Sequence, residues 1–190
     1  MLKYEFGKLD NGEGVGWNEP TTVIFSHISR TLVREAMQNV IDATVTSPAI
    51  IKFSCFESPA REFIPDVDNL IKIYKACAKA VEDNKYAKER YERSANILQE
   101  NENIKILKIS DYNTTGLIGG DREKGKGGSF YAFMHAVGIS SKGVAAGGSF
   151  GLGKWSLYAS SDLRAIYVAS RTPESHVFQG KLRLVTYTLD

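Results

Sequence analysis

The sequence predicts a mixed α/β (α+β) domain, because helical and strand-like patterns alternate along its 190 residues. Apolar residues recur at helical spacing in two long segments, about 22–46 and 66–100. Strand-like alternation occurs between and after these segments. The glycine distribution is the third observation, since twelve of the 17 glycines lie in the stretch 116–153. Glycine at this density predicts backbone that moves or closely approaches a ligand.

Composition narrows the class of protein. Hydrophobic residues make up 43% and charged residues 24%, which is ordinary for one globular domain of this length. The net charge of +2 is too small to indicate nucleic acid as a partner. The two cysteines, Cys55 and Cys77, have neither metal-ligand nor disulfide-rich spacing. Without an apolar run of membrane-spanning length or a signal peptide, we expect a cytoplasmic chain with no membrane contact.

The first elements follow from turn and capping signals. Residues 1–20 contain a glycine-rich turn segment and predict an N-terminal arm, leaving 21–190 as the domain proper. Thr21 or Thr22 is a good cap for a helix that runs to about Thr46 and ends before a proline.

The middle and end of the chain predict further elements. Segment 66–100 carries two apolar helical stripes that are out of phase near Asp83, so we predict two helices with a break there. The stripes are Leu70, Tyr74, Cys77 and Val81, then Ala87, Tyr91, Ala95 and Leu98. Strands are predicted at 49–56, 104–110, 163–171 and 177–189, and short helices at 129–137 and 153–161.

A polar stripe on the first helix is the strongest chemical signal. Glu35, Asn39 and Asp42 follow one another at helical spacing and share one face. Carboxylate and amide groups beside a core are costly to desolvate unless they have partners. The intervening apolar residues predict core packing; they are Leu32, Val33, Ala36, Met37, Val40 and Ile41. Alone, this pattern is typical of a solvated helix face.

Two further motifs follow in the chain. Asp111 stands at the end of a strand and leads into a turn containing Asn113, Gly116 and Leu117. A glycine-rich turn then precedes a helix and consists of Gly147, Gly148, Ser149, Phe150, Gly151, Leu152, Gly153 and Lys154. Backbone N–H groups of such a turn form an anion site. The turn also matches the start of a P-loop, but Trp155 replaces the Ser or Thr that would hold Mg²⁺.

These three motifs, in this order, resemble the GHKL ATPases, which include gyrase B subunits, MutL-type proteins, MORC proteins and ninety-kilodalton heat-shock chaperones. The resemblance covers about residues 25–170. It implies a Bergerat-type two-layer sandwich, with a mixed sheet covered on one face by helices and the 66–100 helices as a peripheral insert. It also implies binding and slow hydrolysis of Mg-ATP, coupled to closure of a lid at 117–148 and to a conformational or dimerisation switch.

The resemblance also implies roles for individual residues. Glu35 would be the catalytic base; hydrolysing members carry Glu here, whereas histidine kinases usually carry Asn. Asn39 would bind Mg²⁺ together with the nucleotide phosphates, beside Asp42 and Ala43. Asp111 would accept the amino group of adenine.

The remaining ATP contacts would come from the two glycine-containing segments. The family pattern after the aspartate is D-x-G-x-G, and this chain departs from it with Asn113 and an extra residue before Gly116 and Leu117. Residues 147–154 would seat the phosphates, with Lys154 as a phosphate contact. An adenine-site threonine would be Thr186 or Thr188.

Assembly and competing functions stay open at this stage. A closed lid could present Phe130, Tyr131 and Phe133 to a second protomer, and the chain could be the N-terminal part of a longer protein. The alternatives to an ATPase are a non-hydrolysing nucleotide sensor, an ATP-gated nucleic-acid-binding module and a histidine-kinase-like phosphotransferase. Glu35 argues against the last of these.

Overall fold

The computed structural model describes residues 4–6, 14–17, 27–119, 128–135 and 153–189. These ranges contain both helices and strands, which confirms the mixed α/β class. The elements are α1 (Ile28–Ala43), β1 (Ile50–Pro59), α2 (Ala60–Phe63), α3 (Val67–Ala80), α4 (Lys85–Glu100), β2 (Asn103–Tyr112), α5 (Ser129–Met134), α6 (Gly153–Ala159), β3 (Ala165–Arg171) and β4 (His176–Leu182). None of the helices in these ranges is both long and apolar enough to span a membrane.

The strands form two antiparallel pairs. Strands β1 and β2 pair along their whole length, from Ile50 opposite Tyr112 to Pro59 opposite Asn103. Strands β3 and β4 pair through a turn in which the Thr172 N–H donates to the Ser175 carbonyl at 2.8 Å. The described strands therefore form two two-stranded sheets, in place of the single mixed sheet that was expected.

The predicted break in the 66–100 segment is confirmed. Helix α3 ends at Ala80 and α4 begins at Lys85. Each helix has a side-chain N-cap: Asp66 accepts from the Asn69 N–H at 3.2 Å, and Asn84 accepts from the Ala87 N–H at 3.1 Å. Because Asn84 satisfies a donor in the first turn of α4, it restarts the helix at the point where the apolar stripe changes phase.

The expectation that these helices form a peripheral insert is wrong for the described part of the chain. Helices α3 and α4 supply most of its main hydrophobic core, in which Ile73, Tyr74, Cys77 and Tyr91 have no measurable exposure. Ile104 of β2 and Val185 after β4 complete this core, with Leu182 of β4 packed against it. The helices thus pack against both sheets, and their removal would expose the apolar side chains of this core.

Helix α1 packs against α6 and against β1. It begins at Ile28 and ends at Ala43, so the predicted end near Thr46 is three residues too late, while Thr21 and Thr22 lie outside the described residues. Only Leu32 and Val40 of α1 are buried. The expectation that all the intervening apolar residues join the core is wrong for three of them: Val33, Met37 and Ile41 are 41%, 48% and 63% exposed.

Candidate functional site

The polar stripe of α1 lies at the protein surface, with Glu35 partly buried and Asn39 and Asp42 exposed. The Glu35 side chain is 19% exposed, and its Oε1 lies 3.1 Å from Nη2 of Arg34. Asp42 accepts a hydrogen bond from Nε2 of Gln38 at 2.8 Å, and Asn39, between the two acids, is exposed. The three predicted residues therefore share one face of α1, where an amide oxygen and two carboxylates can reach a ligand over that face.

The turn after β2 is fixed by its own side chains. Asp111 is exposed at the end of β2, and the Thr114 hydroxyl donates to its Oδ2. Asn113 has φ of 63°, a left-handed conformation that Asn tolerates better than most residues. Its Nδ2 donates to the carbonyl of Pro48 at 2.8 Å. Asn113 was predicted as an ATP-binding residue. In the structure its side-chain N–H stabilises the turn through this hydrogen bond.

Backbone hydrogen bonds attach this turn to the end of α1. The carbonyl of Ala43 accepts from the Thr115 N–H at 2.8 Å, and that of Asn113 accepts from the Val45 N–H at 2.9 Å. Thr44 and Thr114 form an isolated antiparallel bridge between these bonds. Segments about 70 residues apart in the chain are thereby joined, and the Asp42–Ala43 end of α1 lies against the 111–116 turn.

Gly116 is a position where the geometry requires glycine. Its φ is +65°, and a Cβ there would lie 3.0 Å from Oγ of Ser170 and 3.3 Å from the carbonyl oxygen of Arg171. The next residue donates its backbone N–H to Oγ of Ser170 at 2.7 Å, so Leu117 is tied to β3. Ser170 was not identified from the sequence, because it carries no motif and is recognised only from its contact.

Part of the predicted lid is described, and hydrogen bonds join its two described segments. Ile118 donates its N–H to Oγ of Ser129 at 3.0 Å and accepts from the Phe130 N–H at 2.9 Å. Phe130 and Met134 of α5 are 2% and 1% exposed. Tyr131 is 38% exposed, so in this arrangement Tyr131 offers more surface to a partner than Phe130 does.

The third motif is described only from Gly153 onwards; residues 147–152 lie outside the described residues. Gly153 begins α6, the helix that packs against α1. Nζ of Lys154 donates to the carbonyl of Ala132 in α5 at 3.2 Å. Burial and the nearby Arg183 guanidinium lower the pKa of Lys154. An ammonium group in this setting would gain from an added negative charge.

The two late threonines differ in their surroundings. Oγ1 of Thr186 accepts from the N–H of Val15 at 2.6 Å, and the Thr186 N–H donates to the Val15 carbonyl at 2.7 Å. Thr188 is exposed. Residues 14–17, the described second half of the predicted N-terminal arm, thus pair with the chain after β4, and the Thr186 hydroxyl already accepts a hydrogen bond there.

Arginine and aromatic side chains form a second cluster that sequence reasoning missed. The guanidinium carbon of Arg183 lies 3.6 Å from the ring centre of Trp155. That of Arg164 lies 4.4 Å from the ring centre of Trp17, and burial lowers the pKa of Arg164 to about 10. Stacking on aromatic faces partly offsets the cost of removing these cations from water.

Comparisons of the chain with protein-family profiles, with curated protein sequences and with solved structures found no match.

Proposed function

We propose that this chain is a Bergerat-type ATP-binding domain that binds Mg-ATP and hydrolyses it slowly. The observation that carries the proposal is the junction between the end of α1 and the 111–116 turn, made by the Thr115 N–H and the Ala43 carbonyl. Helix α6, which begins at the last glycine of the third motif, packs against the same helix. The turn after β2 and the helix that follows the third motif therefore both lie against α1, which supports a shared site.

The side chains around this junction suit the parts of Mg-ATP. Asp111 offers a carboxylate acceptor for the amino group of adenine, and a guanine carbonyl at that place would be repelled. Asn39 offers a hard oxygen ligand of the kind that Mg²⁺ prefers, and most remaining ligands would come from phosphates and water. Bound Mg²⁺ would neutralise phosphate charge.

Glu35 is the proposed general base. It lies one helical turn before Asn39 on the same face, so a water near the metal-bound phosphates would be within reach of its carboxylate. Its partner Arg34 is 70% exposed, and an ion pair with such an exposed side chain contributes little stability. The carboxylate at this position, where histidine kinases usually carry Asn, favours hydrolysis over phosphotransfer.

The proposal is tested by measuring Mg-ATP binding by calorimetry and phosphate release by a coupled assay. For Glu35→Ala we expect affinity close to that of the unsubstituted chain and turnover reduced on the order of 10²–10⁴-fold. The control is Glu57→Ala, an exposed carboxylate on β1. Absence of ATP binding by the unsubstituted chain would reject the proposal.

The same measurements separate the alternatives. Tight binding without turnover in the unsubstituted chain would identify a non-hydrolysing sensor. Label from γ-labelled ATP transferred to protein would identify a phosphotransferase. Sizing with a non-hydrolysable analogue, with and without DNA, tests whether ATP drives dimerisation or gates nucleic-acid binding.

A further inference from the structure

Lys181 of β4 lies on the face of the β3–β4 pair where the candidate site is assembled. Side chains alternate between the two faces of a strand, so Gln179 and Lys181 share one face. Val177 also lies on that face, directly opposite Ser170, which holds the Gly116–Leu117 turn. Gln179 contacts Nε2 of His135 at 3.2 Å. This face therefore receives both the turn after β2 and helix α5.

Lys154 and Lys181 hold the same end of α5. Lys154 donates to the carbonyl of Ala132, and Lys181 donates to the carbonyl of Met134, two residues further along the helix. Carbonyl groups in the last turn of a helix carry partial negative charge and lack partners within the helix. Two ammonium groups from different elements thus bind neighbouring carbonyl groups that carry only partial negative charge.

The cations in this region repel one another. Burial and the positive charges of Arg183 and Lys154 lower the pKa of Lys181, and burial and Arg183 lower that of Lys154. Arg183 is itself held against the ring of Trp155. A polyanion placed between the lysines would relieve this repulsion and would offer stronger, charge-assisted hydrogen bonds than a carbonyl does.

We propose that Lys181 is a second phosphate-binding residue, which acts with Lys154 on the polyphosphate of a nucleotide bound at the candidate site. In the present structure, the ammonium groups of Lys154 and Lys181 donate to carbonyls at the end of α5, and phosphate oxygens would replace those carbonyls as acceptors. The inference rests on the proposed function, because it assigns the polyphosphate that Lys181 binds to the same nucleotide. According to this inference, Lys181 contacts only the phosphates of the nucleotide and has no role in binding the base.

The test is a set of affinities for tripolyphosphate, a non-hydrolysable ATP analogue and adenosine, measured for Lys181→Gln and Lys181→Arg. We expect Lys181→Gln to weaken the first two ligands about 10-fold or more and to leave adenosine unchanged. Lys181→Arg, which keeps the charge, should retain most of the affinity. The matched control is Lys108→Gln, at an exposed position of β2.

A purely structural role for Lys181 predicts different results. If Lys181 only fastens α5, Lys181→Gln should speed hydrogen exchange in 129–135 and weaken adenosine and the ATP analogue equally, which would overturn the inference. Unchanged affinity for both phosphate ligands would also overturn it. If the unsubstituted chain binds tripolyphosphate through Lys181 but binds neither adenine ligand, the proposed function fails while the phosphate site stands. Binding of none of the three ligands overturns both.

Discussion

At the scale of single residues, Asp111 gives the sharpest test of base recognition. Its carboxylate is oriented by the Thr114 hydroxyl, so it can meet a ligand without first being ordered. We expect Asp111→Ala to lose roughly 1.5–3 kcal/mol of ATP binding free energy, and Asp111→Asn to lose part of it. Calorimetry with ATP and GTP measures this, with exposed Asp83→Asn as the control. Unchanged preference for ATP over GTP would show that Asp111 does not read the base.

Asn39 is expected to act through the metal. Asn39→Ala should lower the affinity for Mg-ATP and have little effect on binding of ATP in the presence of EDTA, because the amide oxygen would bind the cation and not the nucleotide. Calorimetric titrations with and without Mg²⁺ measure both quantities. An equal loss under the two conditions would indicate that Asn39 contacts the nucleotide directly or supports the helix.

The sequence was informative about residue types and less so about their contacts. Spacing alone predicted that Glu35, Asn39 and Asp42 share a face of α1. It did not predict that Asn113 adopts a left-handed conformation and holds the turn through the Pro48 carbonyl. Such roles depend on partners 65 residues away, and a local pattern contains no information about them.

At the scale of elements, the stripes in the 66–100 segment predicted the buried faces of α3 and α4 correctly. The same reasoning failed for α1, because apolar residues occupy more than one arc of that helix and neighbouring elements determine which arc is covered. Leu32 and Val40 lie on the buried arc, whereas Ile41 does not. Periodicity identifies a helix more securely than it identifies what covers each side of it.

This contrast between helices can be measured with one type of substitution. Ile73 of α3 is 0% exposed and Ile41 of α1 is 63% exposed. We expect Ile73→Ala to lower the free energy of unfolding by about 2–5 kcal/mol, because it leaves a cavity in the core. Ile41→Ala should change it by less than about 0.5 kcal/mol. Urea denaturation measures both, and a comparable loss in the two variants would mean that Ile41 is covered in solution.

At the scale of the whole molecule, α3 and α4 are joined to the segments flanking the β3–β4 pair by polar as well as apolar contacts. The Tyr74 hydroxyl donates to the carbonyl of Leu163, and the Tyr91 hydroxyl accepts from the Val185 N–H at 3.0 Å. Both contacts bridge about 90 residues of sequence and lie before β3 or after β4. The sequence predicted each helix and strand separately, and it did not predict this arrangement, because long-range packing determines it.

The buried ionisable groups of this core predict how stability depends on pH. Burial raises the pKa of Cys77 to about 12 from its ordinary value of 9.0, and burial also raises the pKa values of Tyr74 and Tyr91. The folded state therefore holds these protons more tightly than the unfolded state. The contribution of Cys77 to stability is complete below about pH 9 and is lost as the pH rises from 9 towards 12, whereas that of the two tyrosines begins to be lost only near pH 10.

We accordingly expect the free energy of unfolding to fall as the pH rises above 9, with Cys77 contributing a slope of at most about 1.4 kcal/mol per pH unit. Replacing Cys77 with Ala removes one of these titrations, so the decline between pH 9 and 11 should be shallower than in the unsubstituted chain. The exposed Cys55 provides the matched control for removal of a thiol, as Cys55→Ala. Urea denaturation at pH 7, 9, 10 and 11 measures the slopes. Equal slopes in the two variants would mean that Cys77 titrates alike in the folded and unfolded states, and the α3–α4 core would then be open to solvent on the timescale of the measurement.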